Sequence, residues 1–352
     1  MSKTIKRCYL KCLTYEKLLE AHKRASMGKK KKKEVILFEM DLETNIVKIL
    51  NNLKNESYKF GEYREFLVKD PKERIIRSLP YPDRVVHQWY VEEFIKPYFY
   101  KRFINDTYAC LDNRGTHKAV LKVKKYMKKM NKDGLYYVIK FDIKKFFYSI
   151  DKGILLSILE DRIRDKKIIS LTKIILDDGN LKGIPIGNYT SQYFANIYLD
   201  KLDHYIKENL KIKYYVRYMD DFIILIRTKD EAKLIYSLVN EFIEKNLNLS
   251  LNKKSMYYPS THGVDFCGYK IFENYILIRK RFKRKMNKKI KLWEYLYNTN
   301  KLDRDKMLFS YNSALGHLKH ANYHNYMTKF INKNIYFLNI LKDKDNRINI
   351  DI

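Results

Sequence analysis

Three aspartates carry the most chemistry in this sequence. Asp220 and Asp221 are adjacent within Tyr214-Tyr215-Val216-Arg217-Tyr218-Met219-Asp220-Asp221-Phe222-Ile223-Ile224-Leu225-Ile226. Both flanks are rich in Tyr, Val, Ile and Phe and read as strands. Two neighbouring carboxylates at a hairpin tip repel each other and resist burial. A divalent cation resolves that conflict, because it takes hard oxygen ligands and supplies opposing charge. Asp142 ends a second strand-like run, Tyr137-Val138-Ile139-Lys140-Phe141-Asp142-Ile143. Three carboxylates on strand ends can hold two Mg²⁺ ions, with Mn²⁺ as a substitute, for an in-line phosphoryl or nucleotidyl displacement. Asp142 and Asp220 are the expected bridging ligands, and the Ile143 carbonyl is a further candidate. Most Asp-Asp pairs are ordinary turn residues; Tyr-Met-Asp-Asp between two strands, with Phe-Asp-Ile upstream, is far more specific.

Further segments fit around such a centre. Gly183-Ile184-Pro185-Ile186-Gly187-Asn188-Tyr189-Thr190-Ser191-Gln192 reads as a glycine turn entering a helix. Glycine there lets the backbone approach a base pair or sugar, and Thr190 or Ser191 can cap the helix. Lys72-Glu73-Arg74 lies on a basic hairpin; Lys72 and Arg74 can cover a triphosphate, although such a stretch is usually a polar strand face. Lys144 and Lys145 follow Asp142 after one residue, Ile143. Of the next pair, Phe146 is expected in the core and Phe147 beneath an incoming sugar, where it would exclude a 2′-hydroxyl by sterics. In Asn252-Lys253-Lys254-Ser255 either lysine can reach a pyrophosphate, and a solvated turn fits equally. Phe266-Cys267-Gly268-Tyr269 reads as a short strand and turn able to press on a primer end.

These residues need a scaffold, and the chain is long enough to build one: 352 residues suffice for two or three subdomains. Residues 1–60 read as mainly helical, with Leu10, Leu13, Leu18 and Leu19 marking one amphipathic stretch and a second helix over 41–53. The Lys29–Lys33 run fits a solvated loop or an RNA-backbone contact. A strand pair over 61–80 turns at Asp70-Pro71, and a helix follows over 83–94. Helices are expected near 151–178, 190–208 and 231–246, the last with Leu234, Leu238, Phe242 and Ile243 at helical spacing. Residues 286–342 read as helical throughout. Strands and helices alternate irregularly, which predicts an α+β fold and not a doubly wound sheet.

Lys and Arg total 72 against 41 acidic residues, a formal net charge of +31, which implies a polyanionic partner. An AT-rich coding sequence also favours Lys, Asn, Ile and Tyr, so the charge is discounted somewhat. The 31 tyrosines offer stacking surfaces. No apolar run reaches membrane-spanning length, and the first residues lack the apolar core of a secretion signal. Cys8, Cys12, Cys110 and Cys267 show neither metal spacing nor a disulfide framework; buried thiols in a reducing cytoplasm are expected.

Taken together, Phe141-Asp142-Ile143, the glycine-led helix start, Tyr218-Met219-Asp220-Asp221, the lysine turn and Gly268-Tyr269 resemble a reverse transcriptase in type and order over roughly residues 60–270. Within that family the chain looks most like the enzymes of bacterial and phage diversity-generating retroelements. Their Ile-Gly-x-x-x-Ser-Gln mark stands here as Ile186-Gly187-Asn188-Tyr189-Thr190-Ser191-Gln192, where most relatives have Gln-Gly-x-x-x-Ser-Pro. Thr107-Tyr108-Ala109-Cys110, Arg114-Gly115-Thr116-His117-Lys118-Ala119-Val120 and Ser313-Ala314-Leu315-Gly316-His317 support it, as do the compact size and the lack of maturase, endonuclease or RNase H extensions; Cys267 departs from the commoner leucine.

The resemblance implies a right-handed polymerase: a helical extension over 1–60, mainly fingers over 61–136, palm over 137–272 with a fingers-associated insertion near 151–186, and a helical basic thumb over 273–352. It implies dNTP substrates held by Lys72, Arg74, Lys144, Lys145, Phe146, Phe147, Ile186, Gly187, Gln192, Lys253 and Lys254. It places primer and template on Tyr218, Met219, Gly268, Tyr269, Arg279, Lys280 and Arg281. The implied activity is copying of a template-repeat RNA, flanked by structured RNA, into cDNA with errors opposite adenines. The implied partner is a small basic accessory protein forming a pentamer. Another bacterial reverse transcriptase, of retron or abortive-infection type, and a catalytically idle RNA-binding scaffold are the rivals.

Overall fold

The computed structural model describes residues 4–69 and 73–342. Lys72 and the Asp70-Pro71 turn lie outside the described residues. Four N-terminal helices, α1 (Tyr9–Cys12), α2 (Tyr15–Ser26), α3 (Lys33–Met40) and α4 (Leu42–Lys54), precede the hairpin β1 (Arg64–Val68) and β2 (Arg74–Ser78). Then come α5 (Tyr81–Tyr90), a π-turn at Val91–Ile95, α6 (Lys96–Phe99), α7 (Thr116–Asn131), β3 (Tyr137–Asp142), α8 (Phe146–Ser149), α9 (Lys152–Glu160), α10 (Lys166–Leu176) and α11 (Tyr189–His204). The chain continues through β4 (Tyr215–Tyr218), β5 (Asp221–Ile226), α12 (Lys229–Leu247), β6 (Met256–Pro259), β7 (Val264–Phe266), β8 (Tyr269–Ile271) and β9 (Ile276–Ile278). It ends in α13 (Lys280–Asn298), α14 (Arg304–Leu318), α15 (His324–Lys333) and α16 (Ile335–Lys342). Among the described residues no helix is long and apolar enough to cross a membrane.

Helices and small sheets mix irregularly, as the alternation of patterns predicts. The sheet orders are β1-β2, β4-β5-β3-β6 and β7-β8-β9. In the second of these, β3 lies beside β5, so the strand that ends at Asp142 neighbours the strand that begins at Asp221. Strands β4 and β5 pair antiparallel from Tyr215↔Ile224 to Tyr218↔Asp221. That register leaves Met219 and Asp220 as a two-residue turn. Met219 has φ +57°, the positive value that tight hairpins require at the first turn position.

The chain forms two compact units, each discontinuous in sequence. The first gathers residues up to Gly115 with Ile139–Ile224 and Lys233–Met256; the second gathers Thr116–Val138, Leu225–Ala232 and the chain from Tyr257 onward. In the first, α5 packs on α2 and α11, burying Leu18, Val85, Trp89 and Phe194. Trp89 Nε1 donates to the Cys12 carbonyl at 2.8 Å, and the Trp89 ring meets Tyr9 and Phe94 edge-on. In the second, Met286, Ile290, Trp293, Met307, Tyr311, Phe330 and Phe337 form a core shared by α13–α16.

Several local expectations are corrected. The 286–342 stretch is not continuously helical but divided into the last four helices. Thr14 ends the first amphipathic stretch: its side chain accepts from Lys17 N and starts α2, and Leu10 is exposed. In α12 the buried face is Ile235, Val239, Ile243 and Leu247, while Leu234 points to solvent. With Ala232 also buried, the stripe keeps Ile243 but takes Ile235 and Val239 in place of Leu234 and Leu238, because adjacent apolar residues (Leu234-Ile235) leave the helical phase ambiguous. The four cysteines are free, and all are partly exposed.

Candidate active site

The aspartates reach one locality through backbone bonds. Ile143 N–H donates to the Asp220 carbonyl at 3.3 Å. The end of β3 is thereby fixed against the β4–β5 turn, and Asp142, Asp220 and Asp221 are all half-buried. The other side of Asp142 is held by the turn before β6. Asn252 N–H donates to the Asp142 carbonyl at 2.7 Å. The Ser255 hydroxyl accepts from Asp142 N at 3.0 Å and donates to Asp142 O at 3.2 Å. Lys140 Nζ stands 3.9 Å from Asp221 Oδ2, a cation near carboxylates that otherwise repel.

The donor set suits a hard divalent ion: carboxylate oxygens on neighbouring strand ends, partly exposed, with no sulfur or imidazole among them. Among the described residues, however, no three His, Cys, Asp or Glu side chains already enclose an ion position. The fold juxtaposes the strand ends through their backbone.

Beneath the turn lies a fully buried ion pair. Arg217 and Asp203 are both 0% exposed. Arg217 Nε and Nη2 donate to the two Asp203 carboxylate oxygens at 2.7 and 2.6 Å, and Nη1 donates to Asn196 Oδ1 at 3.1 Å and to the Met219 carbonyl at 3.2 Å. Asp203 also accepts from the hydroxyls of Thr107 and Tyr215, at 2.7 and 2.6 Å. Burial alone would favour loss of the proton, but Asp203 holds Arg217 charged, with its pKa above the ordinary guanidinium value. A positive φ at a non-glycine residue costs about 1–3 kcal/mol. A charged hydrogen bond to the Met219 carbonyl contributes about 1.5–3 kcal/mol, enough to hold that turn.

The glycine segment is anchored to the hairpin β1–β2. Arg77 N–H donates to the Ile186 carbonyl at 2.9 Å. Gly187 has φ +134°, and a Cβ there would stand 2.4 Å from the Arg77 carbonyl oxygen, so this close approach requires glycine. The Arg77 side chain pairs with Glu65 at 3.1 Å and Asp178 at 2.5 Å and lies over the Tyr63 ring. Burial opposes ionisation of Asp178, yet hydrogen bonds from Lys152 and Asn180 hold its carboxyl below the usual range. Thr190 and Ser191 do not cap α11, whose N-cap is Asn188. Thr190 Oγ1 instead bonds His87 Nδ1 at 2.8 Å, and burial pushes His87 down to about 3, keeping it neutral.

Phe146 is buried, as expected, and Phe147 is half-exposed, with its carbonyl accepting from Ile184 N at 2.8 Å. Lys144 and Lys145 are exposed, and Lys145 takes a left-handed conformation. Lys253 and Lys254 occupy an exposed turn, Ile186 and Gln192 are half-buried, and Arg74 is exposed on β2. Tyr218 and Met219 are half-buried beside the aspartates.

Gly268, Tyr269, Arg279, Lys280 and Arg281 belong to the second unit. Cys267 and Gly268, both at positive φ, form the two-residue turn of the β7–β8 hairpin. Tyr269 is buried, so its ring is a support and not a presented surface. Arg279 pairs with Asp265, while Lys280 and Arg281 are exposed at the start of α13. Sequence reasoning missed Ser255, Arg217, Asp203 and Arg77. The only signal for Arg217 was a lone charge inside an apolar strand, which in a half-buried strand reads equally as a solvent-facing residue.

The family profile for reverse transcriptase (RNA-dependent DNA polymerase) matches residues 68–271. The chain is 26% identical over 299 residues to the "Putative COX1/OXI3 intron 2 protein" of Saccharomyces cerevisiae, covering 66% of this chain and 33% of that protein. It is 22% identical over 305 residues to the "Group II intron-encoded protein LtrA" of Lactococcus lactis subsp. cremoris, covering 65% and 50%. Telomerase from Candida albicans, solved with a fragment of telomeric RNA, aligns at 13% identity and a TM-score of 0.47 over 83% of this chain and 62% of that one, too remote a likeness to bear on fold or function. The chain thus spans a third to a half of the length of these two curated relatives. The family match takes in β2, all three aspartates and the β7–β8 turn, more than half of the sequence, and the chain belongs to the reverse transcriptase family.

Proposed function

We propose that the chain is the RNA-directed DNA polymerase of a diversity-generating retroelement. The observation that carries the polymerase reading is the Ile143–Asp220 backbone bond, which sets the Asp142 strand end against the Tyr-Met-Asp-Asp turn in a chain of this family. Asp142, Asp220 and Asp221, with the Ile143 carbonyl, would hold Mg²⁺, which when bound promotes attack of a 3′-hydroxyl on a dNTP α-phosphate and stabilises the leaving pyrophosphate. The protein's own part is positional. Ser255 and Asn252 hold the Asp142 peptide, Arg217 holds the turn, and Phe147 limits space for a 2′-hydroxyl. Lys144, Lys145, Lys253, Lys254 and Arg74 supply positive charge for a triphosphate. In this reading the hairpin β1–β2 belongs to the fingers, the aspartate-bearing sheet to the palm and α13–α16 to a thumb that tracks phosphates without reading sequence.

The retroelement subclass rests on Ile186-Gly187-Asn188-Tyr189-Thr190-Ser191-Gln192. An isoleucine side chain cannot hydrogen-bond around the nascent pair as glutamine does, and loss of a positioning contact weakens discrimination between nucleotides. The template would be a repeat RNA with structured flanks, and a small basic pentameric accessory protein the partner, in a bacterial cytoplasm. A second reading, an intron-type reverse transcriptase, is favoured by the intron-encoded relatives.

Primer extension on an RNA template with Mg²⁺, followed by sequencing of the product, tests both. Extension is expected, with at least about a thousandfold loss in Asp220→Ala. Errors should concentrate opposite template adenines and fall in Ile186→Gln. Activity persisting in Asp220→Ala overturns the site; errors spread evenly over the four template bases leave the intron-type reading.

A further inference from the structure

Two segments that are far apart in sequence bring three imidazoles together in the second unit. His117 lies in the first turn of α7, His317 near the end of α14, and His320 just beyond it. The His117 and His320 rings stack at 3.4 Å between centroids and 20° between planes. His317 stacks on Tyr269 at 4.4 Å and accepts or donates at Nδ1 to the Tyr269 hydroxyl, 2.9 Å away. His117 meets the same Tyr269 ring edge-on at 6.1 Å. A Cβ on Gly268 would stand 3.2 Å from His317 Cε1, so the β7–β8 turn rests on this ring. Phe282 of α13 closes another side of His317 at 5.0 Å. Tyr269 is buried, whereas His117 and His317 are half-exposed and His320 is exposed. The tyrosine is a pedestal, and the imidazoles are the surface it presents.

The one other cation acting on the cluster, Arg279, is itself paired with Asp265. Arg279, His117 and His320 are the ionisable groups acting on His317, and His320 acts on His117. Burial and then these neighbours push His317 and His117 below the ordinary imidazole value. Among the described residues no carboxylate pairs with any of the three. The contrast lies within the same chain: His22 meets Glu39 at 3.3 Å, and His204 meets Asp200 and Glu208 at 3.5 and 2.6 Å. Chiefly through its hydrogen bond to Asp200, His204 is raised to about 9. Protonation of these rings has no carboxylate to favour it, so an added anion would supply the missing counter-charge. The first turn of α7 holds no acidic residue, and its amide dipoles add positive potential at His117. Farther along, the same helix exposes Lys118, Lys125, Lys128 and Lys129. A metal fits poorly, because stacked rings do not converge their nitrogens on one point and no three such side chains enclose an ion.

We infer that His117, His317 and His320 form a binding site for a backbone phosphodiester of the nucleic acid this chain holds. This rests on the polymerase reading for the identity of the anion, and on the geometry above for the site. A phosphodiester beside the rings offsets their mutual repulsion and favours their protonated forms. Binding therefore takes up protons from solvent, and affinity rises as pH falls through the imidazole range.

The test uses the full chain and a DNA primer annealed to an RNA template, without dNTPs. Titration calorimetry in two buffers of different ionisation enthalpy reads proton uptake directly. Uptake of roughly one proton is expected near neutral pH, with affinity rising about tenfold per pH unit per proton across about pH 7.5 to 6. Making single primer phosphates neutral as methylphosphonates should abolish uptake at one or two adjacent positions. That arm uses unmodified protein, so no folding defect can produce the result. His117→Gln/His320→Gln should flatten the pH profile. Uptake unchanged in this variant, or indifferent to every methylphosphonate, overturns the proposal. Equal uptake with inorganic phosphate alone would assign the site to free anions and also overturns it. Failure of wild-type primer extension with Mg²⁺ would instead strike the polymerase reading, a separate readout.

Discussion

At the scale of single residues, the aspartates were legible because they break the pattern around them: carboxylates at the ends of Tyr, Val and Ile runs have no packing reason to be there. Arg217 was not legible. Its partner Asp203 lies on α11 and looks like an ordinary polar helix position, and nothing in their spacing says that both side chains lose all contact with water. The pair matters because its third and fourth hydrogen bonds go to Asn196 and the Met219 carbonyl, so the guanidinium acts on the turn that carries Asp220. Arg217→Lys keeps the charge but cannot bond Asp203 twice and still reach Met219. We expect a loss of about 2–3 kcal/mol in thermal unfolding, less than the full cost of an unpaired buried charge. We also expect kcat to fall about tenfold or more in still-folded protein while KM for dNTP stays within about twofold. A normal kcat per folded molecule would make Arg217 a fold-stabilising residue alone, with no positioning role.

At the scale of elements, strand identity came through, since β3, β4 and β5 are short apolar runs bounded by charges and turns. Phase and capping did not. The α12 stripe is shifted because Leu234-Ile235 and Phe242-Ile243 give two helical phases nearly equal apolar content. Thr190 was one of two candidate caps, with Ser191, yet its hydroxyl bonds His87, a partner more than a hundred residues upstream. Gly187 shows the same dependence on distant chain. Its glycine is required by the Arg77 carbonyl of β2, and the loop and hairpin meet nowhere in sequence. Gly187→Ala must relieve both a positive φ and a 2.4 Å contact with backbone, so a loss of roughly 2–4 kcal/mol is expected. Gly28→Ala is the control, because Gly28 has φ +70° but nothing within 4 Å of the added methyl; about 1 kcal/mol is expected there. Equal melting shifts for the two variants would mean that the hairpin moves freely off the loop and does not anchor it.

At the scale of the whole molecule, the +31 charge has two explanations that only its distribution can separate. Codon bias scatters lysine over any surface that tolerates it; a polyanion site concentrates cations on one element. In α13 the buried face is Met286, Ile290 and Trp293, packed into the helical core, and Lys280, Arg284 and Lys288 are exposed. If this face follows a nucleic-acid backbone, each contact releases about 0.7–0.9 of a counterion, and the slope of log affinity against log salt reports the number of contacts. Changing these three residues together to Gln should make that slope shallower by up to about 2–3 and weaken binding equally for unrelated template sequences, since phosphates carry no sequence information. Melting should barely change, because the substituted side chains are exposed and the apolar face is intact. A slope that stays the same would return the charge of α13 to composition. A loss confined to one template sequence would mean that the helix reads bases, as arginine and lysine can at a guanine edge, and would overturn the phosphate-tracking role.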